Sequence, residues 1–183
     1  MTTVKHTAKI LVTTGPESCG KTTLAAALAT HFNCALLPEI SREYLNDNLK
    51  RKPGFIYSSD DLLAIAALHH RRERALLEIQ PEKLVLDTDL LVLLIWYQVR
   101  FGEIDRVLVR LFEESLATTD RHYLLCSPDL PWEADSLREN PYDRKWLFGL
   151  YRDQLHKLPV SWSIVEGIGD LRLKTALAGA GLQ

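Results

Sequence analysis

The chain has 183 residues, of which 46% are hydrophobic and 25% charged, and its formal net charge is −2. This length and composition suit one soluble globular domain, so we expect residues 1–183 to form a single domain. The near-neutral charge offers no basic field for nucleic acid or an anionic membrane, and the longest apolar run, LLVLLIWY, is far shorter than the roughly 20 residues of a spanning helix.

The cysteines exclude a disulfide framework or a zinc site as the basis of the fold. Cys19, Cys34 and Cys126 are widely spaced, odd in number and form no Cys-x-x-Cys or Cys/His pattern. We therefore expect reduced thiols in a cytoplasmic protein.

The first elements predicted along the chain alternate between strand and helix. KILVTT, Lys9–Thr14, is a short apolar run before Gly-Pro, which is typical of a buried strand, and the Ala/Leu-rich segment from Lys21 predicts a helix. CALLPE, residues 34–39, predicts a second strand. SREYLNDNLKRK predicts the next helix, with Ser41 as a candidate N-cap.

The alternation continues to the end of the chain. Ser58 and Asp61 form a loosened capping box before a helix that runs to about Gln80. The later elements are a strand over 83–89, a helix closed by Gly102, an amphipathic helix within 102–119, a strand HYLLC, a helix over 143–158, a strand SWSIVEG and a helix from Asp170. Five strands alternating with helices predict an α/β domain with a mostly parallel, five-stranded sheet.

The first strand leads into a phosphate-binding motif. Gly15-x-x-x-x-Gly20-Lys21-Thr22 is the P-loop pattern, in its required place between a strand and a helix. The glycines let backbone N–H groups approach phosphate oxygens, the helix N-terminus adds partial positive charge, and the lysine binds the β- and γ-phosphates. The residues expected to bind the nucleotide are Gly15, Glu17, Ser18, Cys19, Gly20, Lys21, Thr22 and Thr23.

Two absences narrow the class of P-loop protein. The sequence has no Asn/Thr-Lys-x-Asp motif of the kind that GTPases use to read guanine. The third strand ends in Asp87-Thr88-Asp89 and lacks the adjacent Asp-Glu of ATP-hydrolysing motors. Phosphoryl transfer is therefore favoured over hydrolysis, with ATP as donor and Mg²⁺ held by Thr22 and Asp87.

Residues after the second strand are candidates for an acceptor site. Because parallel strands end at one edge, Glu39 should lie on the same side as the P-loop. A carboxylate there, Glu39 or Asp89, can take the proton of an attacking hydroxyl. Arg42 and Tyr44 follow on the first helical turns, and Tyr44 is a candidate wall of the acceptor site.

The segment PWEADSLRENPYDR predicts a lid, over about residues 127–144. It is polar and rich in turn residues, and Arg138 and Arg144 can bring guanidinium groups onto a transferring phosphoryl group. Trp132 lies in the same segment and can stack on a substrate ring. The predicted catalytic set is Lys21, Glu39, Asp87, Asp89, Arg138 and Arg144.

These motifs together resemble the ribosylnicotinamide kinase domain of NadR-type proteins, within the AAA_28-like P-loop family. The resemblance runs from Lys9 to Leu158 and rests on GPESCGKTTLA, PEISREYL, YSSDDLLAIAALHHRR, LVLDTD and DLPWEADSLRENPYDR. It implies a P-loop three-layer sandwich of the nucleoside/nucleotide-kinase type with a lid. Ser136 stands where the family often has glycine, and the His-x-Gly-His signature of the NadR adenylyltransferase domain is absent. We expect the kinase domain alone.

The resemblance implies ATP- and Mg²⁺-dependent phosphorylation of the 5′-hydroxyl of nicotinamide riboside, a step of NAD salvage. It places substrate contacts at Glu39, Arg42, Trp132 and Asp135, and Arg138 and Arg144 in the lid. Two alternatives stay open: a nucleoside or nucleotide monophosphate kinase of other specificity, and a regulatory nucleotide-binding ATPase module. A small-molecule substrate is the expected partner, and a homo-oligomer is left open.

Overall fold

The computed structural model describes residues 8–134 and 142–182. The elements found there are β1 (Lys9–Thr14), α1 (Lys21–Phe32), β2 (Ala35–Leu37), α2 (Ile40–Arg51), α3 (Ser59–Glu78), β3 (Lys83–Asp87), α4 (Leu90–Phe101), α5 (Arg106–Ala117), β4 (Asp120–Cys126), α6 (Arg144–Leu155), β5 (Ser161–Val165) and α7 (Asp170–Gly179). Among these helices, none has both the length and the apolar character that crossing a membrane requires.

The strands form one parallel sheet in the order β2-β3-β1-β4-β5. Successive residues of a strand face opposite sides of the sheet, and β1 follows this rule: Ile10 and Val12 join one apolar core, and Leu11 joins the other. Helices α1 and α7 cover the side of Leu11, whereas α2–α6 contribute to the larger core. The fold class predicted from the sequence, a three-layer α/β sandwich, is confirmed.

The register of the strands collects their carboxyl ends at one edge. Thr13 of β1 is paired with Asp87 of β3, and Leu37 of β2 is paired with Leu86. The chain segments that leave β1, β2 and β3 therefore start side by side. Ligands of open parallel sheets bind at this edge.

The element boundaries agree with the sequence pattern except in the second βα unit. The predicted capping box is present, because the Ser58 side chain accepts from the backbone N–H of Asp61 and the Asp61 side chain accepts from the N–H of Ser58. Strand β2 is limited to Ala35–Leu37, since Pro38 has no N–H to continue the ladder. The expectation that Ser41 caps α2 is wrong: Glu39 occupies the N-cap, and Ser41 lies inside the first turn.

Candidate active site

The P-loop depends on glycine at both of its conserved positions. Gly15 has a φ of +131° and Gly20 a φ of +74°, which L-residues rarely adopt. A Cβ at Gly15 would lie 2.8 Å from the carbonyl oxygen of Cys126, and one at Gly20 would lie 2.8 Å from Cδ1 of Leu130. The loop is therefore packed against the end of β4 and the segment after it: a side chain at Gly15 would clash with backbone, and one at Gly20 would displace the end of Leu130.

The N-terminus of α1 is built to receive an anion. Gly20 is its N-cap and has no side chain with which to cap the first N–H groups, and the first turn contains no acidic residue. The unsatisfied N–H groups and the helix dipole place positive charge at this point. Helix N-termini of this kind bind phosphate.

Lys21 folds back over the loop. Its Nζ donates to the carbonyl oxygens of Gly15 and Pro16, at 3.1 and 2.7 Å, and lies 3.8 Å from Sγ of Cys19. Burial acts to lower the pKa of Lys21, but the charges of Cys19 and Glu39 outweigh it and raise the pKa. The ammonium group is thus charged at neutral pH and lies within the loop.

Cys19 is part of the packing beneath the loop. Its side chain is buried and donates to the carbonyl of Pro16 at 2.9 Å. Burial alone would raise its pKa, but a hydrogen bond with Cys126 and the charge of Lys21 lower the pKa of Cys19 to about 6. When deprotonated, Cys19 adds a negative charge beside Lys21 and so favours the ammonium form of the lysine.

Thr22 and Asp87 form a pair of oxygen donors beside the loop. Asp87 ends β3 and is 1% exposed, and its carboxylate is hydrogen-bonded by the Thr22 side chain. Burial and the nearby Glu39 raise the pKa of Asp87, against the opposing effects of Thr22 and Lys21. Among the described residues, its Oδ1 has no hydrogen-bond partner. A buried carboxylate oxygen without a partner, next to a hydroxyl, fits Mg²⁺, which binds hard oxygen donors.

Glu39 faces this pair from the end of β2. Its carboxylate accepts from Oγ of Ser41 at 2.9 Å and from Nε of Arg42 at 3.3 Å, while 23% of the side chain remains exposed. Both Lys21 and Asp87 respond to its charge. A carboxylate that is hydrogen-bonded, solvent-accessible and close to the P-loop lysine can orient and deprotonate a hydroxyl.

The P-loop and Glu39 line a cleft of about 330 Å³, a size typical of small-molecule sites. Most of the other lining residues are apolar and come from α2, α4 and α6: Leu45, Val92, Ile95, Trp96, Val99, Leu147 and Tyr151. Ser41 and Arg42 add polar groups to the lining, and Leu130, Pro131 and Glu133 contribute from the range of the predicted lid.

The arginine predicted for the lid at the start of α6 has a different set of partners. Arg144 donates through Nε to the carbonyl of Glu17 at 3.2 Å and through Nη2 to that of Ser18 at 2.9 Å. It also donates twice to the carbonyl of Leu130, at 2.9 and 3.0 Å. Arg144 therefore joins the P-loop backbone to the segment after β4 and is not among the residues that line the cleft.

Asp89 lies in the core, which corrects its assignment to the acceptor site. It is 1% exposed and caps α4 by accepting from the N–H of Leu91. Its second oxygen accepts from Arg121 at 3.1 Å and from the hydroxyl of Tyr123 at 2.6 Å. Both oxygens are thus occupied by internal partners, and Asp89 does not line the cleft.

The predicted aromatic contacts divide between the core and the margin of the cleft. Tyr44 packs on the larger core and donates to Asp61 at 2.9 Å, and its neighbour Leu45 reaches the cleft instead. This corrects the expectation that Tyr44 walls the acceptor site. Trp132 is half-buried between cleft-lining neighbours. Asp135 and Arg138 fall outside the described residues.

Sequence reasoning missed Arg172 of α7. This side chain is 5% exposed, and its Nη2 donates to the carbonyl of Cys19 at 2.6 Å. The basic residues of the tail, Arg172 and Lys174, are two positions apart in LRLK, and nothing in the sequence separates the buried one from the exposed one.

Comparison with known proteins identifies one family model that covers most of the chain, including the P-loop and Glu39. The AAA_28 family model, described as an AAA domain, matches residues 10–172. No curated protein sequence matches the chain.

Several solved structures share the fold at low sequence identity. A structure of NadR protein in complex with NR is 18% identical, with a TM-score of 0.70, and one of NadR protein in complex with NAD and AMP-PNP is 17% identical, with a TM-score of 0.68. Both alignments cover 98% of this chain but 53% and 51% of the NadR chains, so the chain spans about half their length. Thymidylate kinase from Ehrlichia chaffeensis is 16% identical, with a TM-score of 0.60 over 94% of this chain and 97% of its own.

Proposed function

The chain belongs to the AAA_28 family, and from that premise we propose that it is an ATP-dependent kinase that phosphorylates the 5′-hydroxyl of nicotinamide riboside. One observation carries the proposal: Glu39 and the P-loop, with Lys21, line one cleft whose other lining residues are mainly apolar. Such a site brings together a phosphate-binding loop, a carboxylate and an apolar surface on which the face of an aromatic ring can pack.

The donor half of the site would hold the triphosphate of ATP. The N–H groups of the loop and of the first turn of α1 surround the phosphates, and Lys21 exchanges the carbonyls of Gly15 and Pro16 for phosphate oxygens. Thr22 and Asp87 would hold Mg²⁺, which when bound supplies positive charge against the β- and γ-phosphates.

The acceptor half would present a hydroxyl to the γ-phosphoryl group. In the proposed step the hydroxyl oxygen bonds to the γ-phosphorus, the bond from that phosphorus to the β–γ bridging oxygen breaks, and ADP leaves. The hydroxyl proton passes to Glu39, whose carboxylate is solvent-accessible and directed by Ser41 and Arg42. Asp89 lacks such access because Arg121, Tyr123 and the N-terminus of α4 occupy it.

The arginines would stabilise the donor site in different ways. Arg144 holds the carbonyls of Glu17 and Ser18 and thereby the shape of the loop. Arg138, in the predicted lid, is the arginine we propose for contact with the transferring phosphoryl group.

Nicotinamide riboside as acceptor is supported by the apolar wall and by the similarity to NadR, whose solved structure includes NR. The wall formed by Ile95, Trp96 and Val99 suits an aromatic ring. A second candidate, a nucleoside monophosphate acceptor, is favoured by Arg42, a guanidinium on the cleft that can bind phosphate. A regulatory nucleotide-binding module is the third.

A panel of acceptors separates these functions. Purified protein is incubated with Mg·ATP and nicotinamide riboside, adenosine, thymidine, cytidine or the corresponding monophosphates, and ADP formation is followed. The proposal predicts turnover that depends on nicotinamide riboside. Turnover with a monophosphate alone supports the second candidate, and tight ATP binding without acceptor-dependent turnover supports the third; either result overturns the proposed acceptor.

A further inference from the structure

Arg172 of α7 contacts three other chain segments, one of which is the P-loop. Besides the carbonyl of Cys19, its guanidinium donates to the carbonyl of Ser127 at 3.0 Å, to that of Gly167 at 2.5 Å and to Oδ1 of Asp129 at 2.8 Å. Cys19 belongs to the P-loop, Ser127 and Asp129 to the segment after β4, and Gly167 to the loop between β5 and α7.

The side chain is both buried and in close contact with the loop. Its Nε has no partner among the described residues, and it lies 3.4 Å from where a Cβ on Gly20 would be. Burying a guanidinium is costly unless its donors are satisfied, and the acceptors here are mainly backbone carbonyls. The guanidinium group of Arg172 is therefore satisfied only where the backbone carbonyls of Cys19, Ser127 and Gly167 point toward it.

The contact with Cys19 determines the direction of one peptide group. In a trans peptide the C=O and the following N–H point to opposite sides. Because the carbonyl of Cys19 points at Arg172, the N–H of Gly20 points to the other side of the loop. Gly20 lines the cleft, and an N–H held there in advance needs no reorganisation when a phosphate binds.

We propose that Arg172 is a positioning residue for phosphoryl transfer. It fixes the P-loop backbone in its phosphate-binding form and ties it to the segment after β4. The inference rests on the proposed function in that the loop must bind phosphates, but it does not depend on which acceptor is used.

Asp129 serves as the carboxylate that orients Arg172. Its Oδ2 accepts from the N–H of Gly167 at 2.8 Å while Oδ1 accepts from the guanidinium. Burial opposes ionisation, but the hydrogen bonds from Arg172 and Gly167 lower the pKa of Asp129. Asp129 is therefore a carboxylate at neutral pH, and weakening its contact with Arg172 should loosen the loop indirectly.

The test measures binding of inorganic tripolyphosphate with Mg²⁺ by calorimetry, a probe that needs neither a base nor an acceptor. Arg172→Met and Arg172→Lys are compared with Lys174→Met, which removes a charge from an exposed position of the same helix. We expect the Kd to rise about tenfold in Arg172→Met, nearly as much in Arg172→Lys, and not at all in Lys174→Met. Wild-type affinity in Arg172→Lys would overturn the inference, because charge alone would then account for the effect.

Asp129→Asn keeps the test valid if the Arg172 variants do not fold. Thermal unfolding followed by circular dichroism identifies the folded variants, and affinities are measured well below their midpoints. We expect Asp129→Asn to raise the Kd for tripolyphosphate and the KM for ATP and to lower kcat, with the KM for the acceptor unchanged. A folded Asp129→Asn with wild-type values would overturn the inference. If the wild-type protein binds tripolyphosphate but phosphorylates no acceptor, the proposed function is contradicted. The comparison of tripolyphosphate affinities between the wild type and the variants still tests the role of Arg172 in that case.

Discussion

The ammonium group of Lys21 lies 2.7 Å from the carbonyl oxygen of Pro16, within the loop that it is expected to serve. The lysine thus satisfies part of the loop's own backbone. Phosphate binding exchanges these neutral acceptors for charged oxygens, and charge-assisted hydrogen bonds are stronger. The contribution of Lys21 to the free energy of phosphate binding is therefore the difference between its hydrogen bonds to phosphate oxygens and its hydrogen bonds to the loop carbonyls.

Lys21→Met should therefore weaken binding of ATP without unfolding the protein. The variant loses the cation that contacts the β- and γ-phosphates, and we expect the Kd for ATP to rise by about two orders of magnitude. Calorimetric titration measures it, with Lys174→Met as a control that removes an exposed charge. Equal ATP affinity in Lys21→Met and the wild type would contradict the binding of ATP at the P-loop.

Glu39→Gln and Asp89→Asn should affect different properties. Glu39→Gln removes the proposed base and should lower kcat by about two orders of magnitude, while the Kd for ATP changes little. Asp89→Asn should instead lower stability, because it weakens the buried partners of Arg121 and Tyr123.

Steady-state kinetics and denaturant unfolding of the two variants make the comparison. The base assignment is wrong if folded Asp89→Asn loses turnover while Glu39→Gln retains it.

Alanine at the two loop glycines should destabilise the protein to different extents. Gly15→Ala places a Cβ 2.8 Å from a backbone carbonyl, whereas Gly20→Ala meets the end of the Leu130 side chain, which can move. We expect Gly15→Ala to cost more free energy of unfolding than Gly20→Ala.

Gly54→Ala is the control for backbone strain alone, since Gly54 has a φ of +77°, close to the +74° of Gly20, with no atom within 4 Å of the added Cβ. Denaturant unfolding should rank the three variants in the order Gly15→Ala, Gly20→Ala, Gly54→Ala. An equal loss of free energy of unfolding in all three variants would mean that the packing around Gly15 and Gly20 does not exclude a Cβ.

His69 should make stability depend on pH below neutrality. Its Nε2 lies 3.3 Å from the carbonyl of Thr88, and Glu73 is 3.7 Å from Nδ1. Burial lowers the pKa of His69 to about 4, although Asp89 and the Thr88 carbonyl act to raise it and Arg121 and His70 act to lower it. The unfolded chain therefore binds the proton first, and this contribution to stability is lost as the pH falls from about 6.5 to about 4.

The His69→Gln variant isolates that contribution. Urea unfolding at several pH values should give a smaller loss of stability on acidification in His69→Gln than in the wild type. The comparison is needed because burial raises the pKa of Glu73, which shifts stability in the opposite direction. Parallel pH profiles for the two proteins would exclude His69 as the titrating group.

The sequence predicted the fold and the donor side of the site because both depend on local patterns. The alternation of strands and helices and the P-loop spacing are written in contiguous residues. Glu39 and Asp87 follow from them, since strands in a parallel sheet end at a common edge.

The side-chain directions beyond those strand ends could not be predicted in the same way. Successive helix residues point about 100° apart, so one position decides that Leu45 faces the cleft while Tyr44 packs inside. Asp89 resembles Asp87 in the sequence, but α4 begins at Leu90, and the N-cap position turns Asp89 toward Arg121. Arg172 acts through tertiary contacts with residues far away in the chain, which a single sequence does not display.

In the proposed function, this cleft transfers a phosphoryl group from ATP to the hydroxyl of a small riboside. The most direct measurement is ³¹P NMR of purified protein with Mg·ATP and nicotinamide riboside, alongside Glu39→Gln. The proposed function predicts that ADP and a 5′-phosphomonoester appear in equal amounts, and that both decrease greatly in Glu39→Gln. Bound ATP without any phosphomonoester, or a product formed equally by Glu39→Gln, would contradict it.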